Sequence, residues 1–213
     1  MYIHGENFRL IDPSSTFVDE RAVIGDGVTI YERVRIEGAC VIGDGCVIMP
    51  DCYIRDTTVG RQCRIDASRI EGSVLGDNVT VGPYAHLRAG AIIDSGARIG
   101  NFVEIKNAHI GEGTKVSHLA YVGDADVGKG CNVGCGAIFV NYNGRTKSRS
   151  TVEDNCFIGS NCNVIAPVTV RKNTYICAGT TVSEDTEEGD FLIGRVRQMA
   201  KHGRAHEYLK EIY

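Results

Sequence analysis

Between Asn101 and Lys147 the sequence gathers residue types that move protons and hold anions: Glu104, Lys106, His118, Tyr121, Asn132 and Lys147. His118 is the best candidate for a general base. Imidazole titrates near neutrality, which suits removal of a proton from an attacking amine or hydroxyl. Glu104 is the carboxylate expected to orient that ring or to hold its charged form. Arg88 and Lys106 each follow an aliphatic residue, Leu87 and Ile105, at matching points of a regular pattern. Stacked one strand apart, two cations repel unless an anion sits beside them, so the pair reads as a phosphate clamp; a solvated charge pair is the alternative. His86 and His109 lie nearby without an assigned role. His109 and His118 face different sides of the pattern, and nothing pairs with His118 within five residues, so no metal is expected.

The element that must position these groups is a repeat of six. Ile24, Ile30, Ile36, Ile42, Ile48 and Ile54 begin it, and aliphatic residues continue at that spacing, with a few steps of five, to Val182. Gly often follows, as in IGDG and IGEG, and a small residue such as Cys46, Ala91 or Thr114 comes four places on. A period of six is neither a helix face nor an alternating strand. It belongs to a hexapeptide β-helix, in which three short strands make a coil, the aliphatic residue points inward, and successive coils pair as parallel strands about 4.8 Å apart. Residues 21–185 are therefore expected to form an all-β prism, with a polar loop inserted at 141–150. Residues 1–20 are read as an N-terminal cap and 186–213 as a short helical C-terminal tail that caps the last coil.

Composition agrees. A net charge of -4 argues against a nucleic-acid partner. The start has no apolar run long enough for a signal peptide or membrane span, which places the chain in the cytoplasm. Cys40, Cys46, Cys52, Cys63, Cys131, Cys156 and Cys162 fall on the small inward position, so they read as core residues rather than disulfide or metal ligands.

Counting three repeats per coil stacks Val116, Val133, Ile158 and Ile176. The residues two places after them, His118, Cys135, Ser160 and Ala178, then form a column along one edge. A base at the end of a row of small side chains leaves a groove with bare backbone groups for a long thin ligand.

The segments GPYAHLRAGA, NFVEIKNAHIGEGTKVSHLAYVGDADVGKGCNVGCGAIFVNYNGRTK, IGSNCNVIAPVTV, AGTTV and GRVRQ resemble the acetyltransferase half of the bifunctional bacterial GlmU enzymes. The resemblance implies a left-handed β-helix, an acetyl-CoA-dependent N-acetyltransferase and glucosamine 1-phosphate as acceptor. It gives His118 the proton, and Arg88 and Lys106 the sugar phosphate. Tyr121 and Asn132 hold the sugar, Lys147 is a loop lysine at a subunit interface, and Cys135, Asn141, Tyr142, Ser160, Ala178 and Arg195 touch acetyl-CoA. A homotrimer with sites between subunits follows from the same resemblance. Cys135 stands where the family usually has Ala, and NYNG replaces NYDG. No Gly-rich nucleotidyl-transfer segment precedes the repeats, so uridylyl transfer is not expected of this chain. Two alternatives stay open: acyl transfer to a different sugar phosphate, and a non-catalytic trimeric partner of a separate nucleotidyltransferase.

Overall fold

The computed structural model describes residues 7–209; the first six residues of the expected cap and the last four of the tail lie outside it. Strands of two to four residues line up in three parallel sheets of eleven, ten and nine strands, and each strand pairs with those one coil before and after it. We call the sheets walls A, B and C. This is the all-β parallel β-helix that the count of six requires. Wall A carries Ile99, Val116, Val133, Ile158 and Ile176 in register. Wall B carries Leu87, Ile105 and Val122, and wall C carries Ile93, Ile110 and Val127. All of these side chains are buried, and they meet on the prism axis in one continuous core. The seven cysteines at the small position are buried with them, and all nine cysteines are free thiols.

The glycines of the repeat do two different jobs. A Cβ at Gly60 would lie 2.5 Å from the carbonyl carbon of Gly76 on the next coil, so the first glycine of the motif is there for close backbone approach. Gly45 sits at φ +67°, in the left-handed region that glycine tolerates, and turns the chain into the next wall. Coils without an insertion advance by sixteen to eighteen residues. The 141–150 loop lengthens one coil, so that Val133 pairs with Ile158, yet the ladder continues without slippage.

Paired strands also occur outside residues 21–185. Arg9–Leu10 and Phe17–Val18 begin walls A and B, and Phe191–Leu192 adds the last strand of wall A. The tail differs from the helix expected of it. Beyond Leu192, only the 3-10 turn Ala205–Glu207 is regular among the described residues. Val196, Met199, Tyr208 and Leu209 are all exposed, and a short helix with no apolar face to bury is marginal in water. No helix among the described residues is long and apolar enough to cross a membrane.

Candidate active site

The corner between walls A and B carries the imidazole. Strand Lys115–His118 pairs with Arg98–Asn101, setting Asn101 directly against His118. Asn101 Oδ1 is 2.6 Å from His118 Nδ1, a position that suits an Nδ1–H donor, and in the neutral ring that tautomer carries its lone pair on Nε2. Asn101 was not singled out from sequence. It lies one coil before His118, and the count that stacked Ile99 on Val116 would have found it.

The column of small residues continues from there. The register of wall A places Cys135, Ser160 and Ala178 on successive coils beyond His118, and all three are exposed. Their backbones bond upward through Asn161 N–H to Cys135 O at 2.8 Å and Gly179 N–H to Ser160 O at 2.8 Å. Gly134 and Gly159 keep the corner tight: a Cβ on Gly134 would meet Ser160 N at 2.6 Å, and one on Gly159 would meet Ala178 N at 2.4 Å. Arg195 closes the far end, donating from Nη1 to Ala178 O at 3.0 Å.

Wall B holds the charged groups. His86, Glu104 and Tyr121 are register partners on its outer face. Glu104 does not reach the imidazole; Arg88 Nη1 donates to its Oε1 at 2.8 Å. That hydrogen bond raises the Arg88 pKa above its ordinary value. Asn101 thus makes the contact expected of Glu104, because Glu104 stands on a different wall from His118. Lys106 is stacked beside Arg88, as the count requires, but each cation has its own carboxylate. Lys106 Nζ lies 3.8 Å from Asp124 Oδ2. The two-cation clamp is therefore already balanced by the protein.

Asp124 is the second residue that sequence reading passed over, since in VGDADVG it looks like a turn residue. It is buried, and its carboxylate accepts from Asn107 Nδ2 at 2.6 Å and from Asn141 Nδ2 at 2.5 Å. Burial opposes its ionisation, but the two amides and the charges of Lys106 and Lys147 outweigh that and hold its pKa below the usual range. Asn141 lies with this group, 3.5 Å from Tyr121 Oη, rather than on the small-residue column. A Cβ at Gly123 would come within 2.3 Å of Tyr121 Oη, so that glycine makes room for the phenol.

The loop that starts at Asn141 is a compact turn. Tyr142 and Lys147 form an isolated antiparallel bridge, Ser148 N–H donates to Asn141 O at 2.9 Å, and both Tyr142 and Lys147 are exposed. Arg149 fastens its far end to Asp126, Asn107 O and Ala125 O. Asn132 stands apart from the rest. It is on the outer face of wall A between Lys115 and Phe157, three residues before the small-residue column, or about 10 Å along the strand. Of the two unassigned histidines, His109 pairs with Asp94 on wall C at 2.8 Å, and His86 Nε2 lies 3.6 Å from Glu71.

A family model described as the GMPPB C-terminal domain matches residues 8–93, and one described as a hexapeptide repeat of succinyl-transferase matches residues 150–184. The chain is 47% identical over 197 residues to the bifunctional protein GlmU of Clostridium novyi (strain NT), covering 92% of this chain and 43% of that protein. Against the bifunctional protein GlmU of Caldicellulosiruptor saccharolyticus it is 49% identical over 195 residues, covering 92% and 42%. The chain thus spans less than half the length of these curated relatives. Among solved structures, Arabidopsis UDP-N-acetylglucosamine acyltransferase superposes on 83% of this chain and 68% of that one, with a TM-score of 0.59 at 21% identity. That is agreement in fold.

Proposed function

We propose that this chain, a hexapeptide-repeat relative of GlmU, is an acetyl-CoA-dependent N-acetyltransferase whose acceptor is an amino-sugar 1-phosphate, glucosamine 1-phosphate first among them. The observation that carries the reading is the Asn101–His118 pair at the foot of the Cys135, Ser160 and Ala178 column. An imidazole with Nδ1 tied to an amide oxygen has Nε2 ready to receive a proton.

In this reaction the sugar amine attacks the thioester carbonyl and His118 Nε2 takes an amine proton. The tetrahedral intermediate collapses, the C–S bond breaks, and the imidazolium returns that proton to the departing CoA sulfur. A backbone N–H near Cys135 is the proposed oxyanion donor. Ser160, Ala178 and Arg195 flank the CoA arm, with Tyr142 on the loop beside it. Arg88, Lys106 and Lys147 hold the phosphate, and Tyr121 and Asn132 the sugar.

A homotrimer is part of the same proposal. Asn132 faces out from wall A, whereas Tyr121, Arg88 and Lys106 belong to wall B, so one chain does not turn all of them toward one sugar. Packing the walls of neighbouring chains together in a closed ring would do so. Cytoplasmic location is proposed with it, since acetyl-CoA and sugar phosphates are intracellular metabolites.

The test is release of free thiol from acetyl-CoA in the presence of a panel of amino-sugar phosphates, with sedimentation to read the assembly. Turnover on glucosamine 1-phosphate, falling roughly 10²–10⁴-fold in His118→Ala with the assembly unchanged, is the expected result. Full turnover in His118→Ala removes the proposed base. Silence across the panel removes the function.

A further inference from the structure

We propose that Asp124 is a positioning residue for the acceptor phosphate: one buried carboxylate sets both the cation of wall B and the root of the inserted loop. The proposal rests on the function proposed above. Asp124 sits at the corner between walls B and C with φ 48°. Its N–H donates to Lys106 O at 3.0 Å, and its carbonyl accepts from Ser150 N–H at 3.2 Å. The residue is thereby bonded to the coil before it and to the end of the loop.

The side chain repeats the connection. Oδ1 takes the Asn107 amide at 2.6 Å, and Oδ2 takes the Asn141 amide at 2.5 Å. Lys106 Nζ approaches Oδ2 only to 3.8 Å, longer than the roughly 2.7–2.9 Å of a formed N⁺–H···O⁻ bond. The carboxylate therefore directs the ammonium by charge and leaves its N–H donors for a ligand. Asn141 reaches onward toward Tyr121 Oη at 3.5 Å. Lys106, Asn107, Asn141 and Tyr121 are thus linked through a residue that is only 8% exposed. A buried corner carboxylate with a purely structural job would stabilise the coil and leave acceptor affinity alone. Here two of the groups it fixes, Lys106 and Tyr121, are those proposed to meet the phosphate and the sugar.

Asp124→Asn tests this. The amide has one oxygen for two amide donors, and its own NH₂ meets one of them, while Lys106 loses its counter-charge. The expected result is a rise of about tenfold in KM for glucosamine 1-phosphate, the lower end of what a hydrogen bond to a charged group is worth. KM for acetyl-CoA rises by less, because the released loop carries Tyr142, and kcat at saturating acceptor stays close to that of the unaltered chain. Trypsin cleavage after Arg145 and Lys147 accelerates, because the loop root is released. Should Asp124→Asn fail to fold, Asn107→Gly keeps the left-handed backbone of that exposed residue while deleting one donor, and shifts KM in the same direction by less. An unchanged or lowered acceptor KM in either folded variant overturns the role. So does a loss confined to kcat. Absence of turnover in the unaltered chain removes the proposed function and this role with it; turnover there with no KM change in the variants removes this role alone.

Discussion

Asn101→Ala isolates the contribution of ring orientation to the chemistry. The substitution deletes one hydrogen bond, from His118 Nδ1 at 2.6 Å, and leaves the Asn101 carbonyl free to keep its bond with Leu119 N–H at 3.0 Å, so the ladder of wall A is untouched. A single neutral hydrogen bond is worth about 0.5–1.5 kcal/mol net. If that energy goes into holding Nε2 as the acceptor, kcat falls roughly 2- to 13-fold at about 1.4 kcal/mol per decade. KM for both substrates should hold within about twofold, because Asn101 binds neither in this reading. Asn101→Asp completes the test. It restores an acceptor at Nδ1 and adds a charge that favours the imidazolium. That charge moves the acid limb of the kcat profile to higher pH. The assay is steady-state thiol release over a pH series, with thermal unfolding run in parallel. If Asn101→Ala keeps its kcat, or loses only substrate affinity, the amide does not orient the base. If Asn101→Asp leaves the acid limb in place, the group that titrates in the profile is not the imidazole beside it.

Two further expectations concern the frame and the loop. Gly111→Ala puts a Cβ within 2.5 Å of the Gly128 carbonyl carbon and should cost about 1–3 kcal/mol, whereas Gly113→Ala meets open space at φ +66° and should cost about 1 kcal/mol. Urea midpoints that reverse this order would refute the close-approach role of the first glycine. Asp126, through its hydrogen bonds from Arg149, and Asp124, against its burial, both titrate below the ordinary 3.8. Their contribution to holding the loop is complete above 3.8 and is lost as pH falls through their lowered values. Pepsin cleavage within 141–150 should therefore begin only below that point, and loosening well above it would contradict the assignment.

The inward ladder was legible in the sequence because its signal is strictly periodic and redundant: a misread step at Ile105 or Val122 is corrected by the next coil. The same arithmetic made the His118, Cys135, Ser160 and Ala178 column legible, since only vertical register was needed. What escaped were contacts that depend on where a side chain points after the register is known. Glu104 is close enough to His118 in sequence to suggest a contact, but the two stand on different walls and Arg88 claims the carboxylate. Asp124 occupies a corner position where Asp is expected for turn geometry alone, and Asn101 ends a strand just before a corner, so their second jobs carry no separate signal. Arg149 lies beyond an irregular loop, where counting stops. The described tail differs from the expected helix because composition, however polar and basic, says nothing about whether a face will find a partner.

The glycine contacts between coils have one more consequence. Where Gly60 meets Gly76 and Gly134 meets Ser160, main chain rests on main chain, so the step height is fixed by atomic radii and not by the choice of side chains. From His118 to Ala178 there are three coil steps, or about 14 Å, and the last two rest on Gly134 and Gly159. Evolution can repaint the groove one residue at a time, but it can lengthen or shorten the groove only by adding or removing a whole storey.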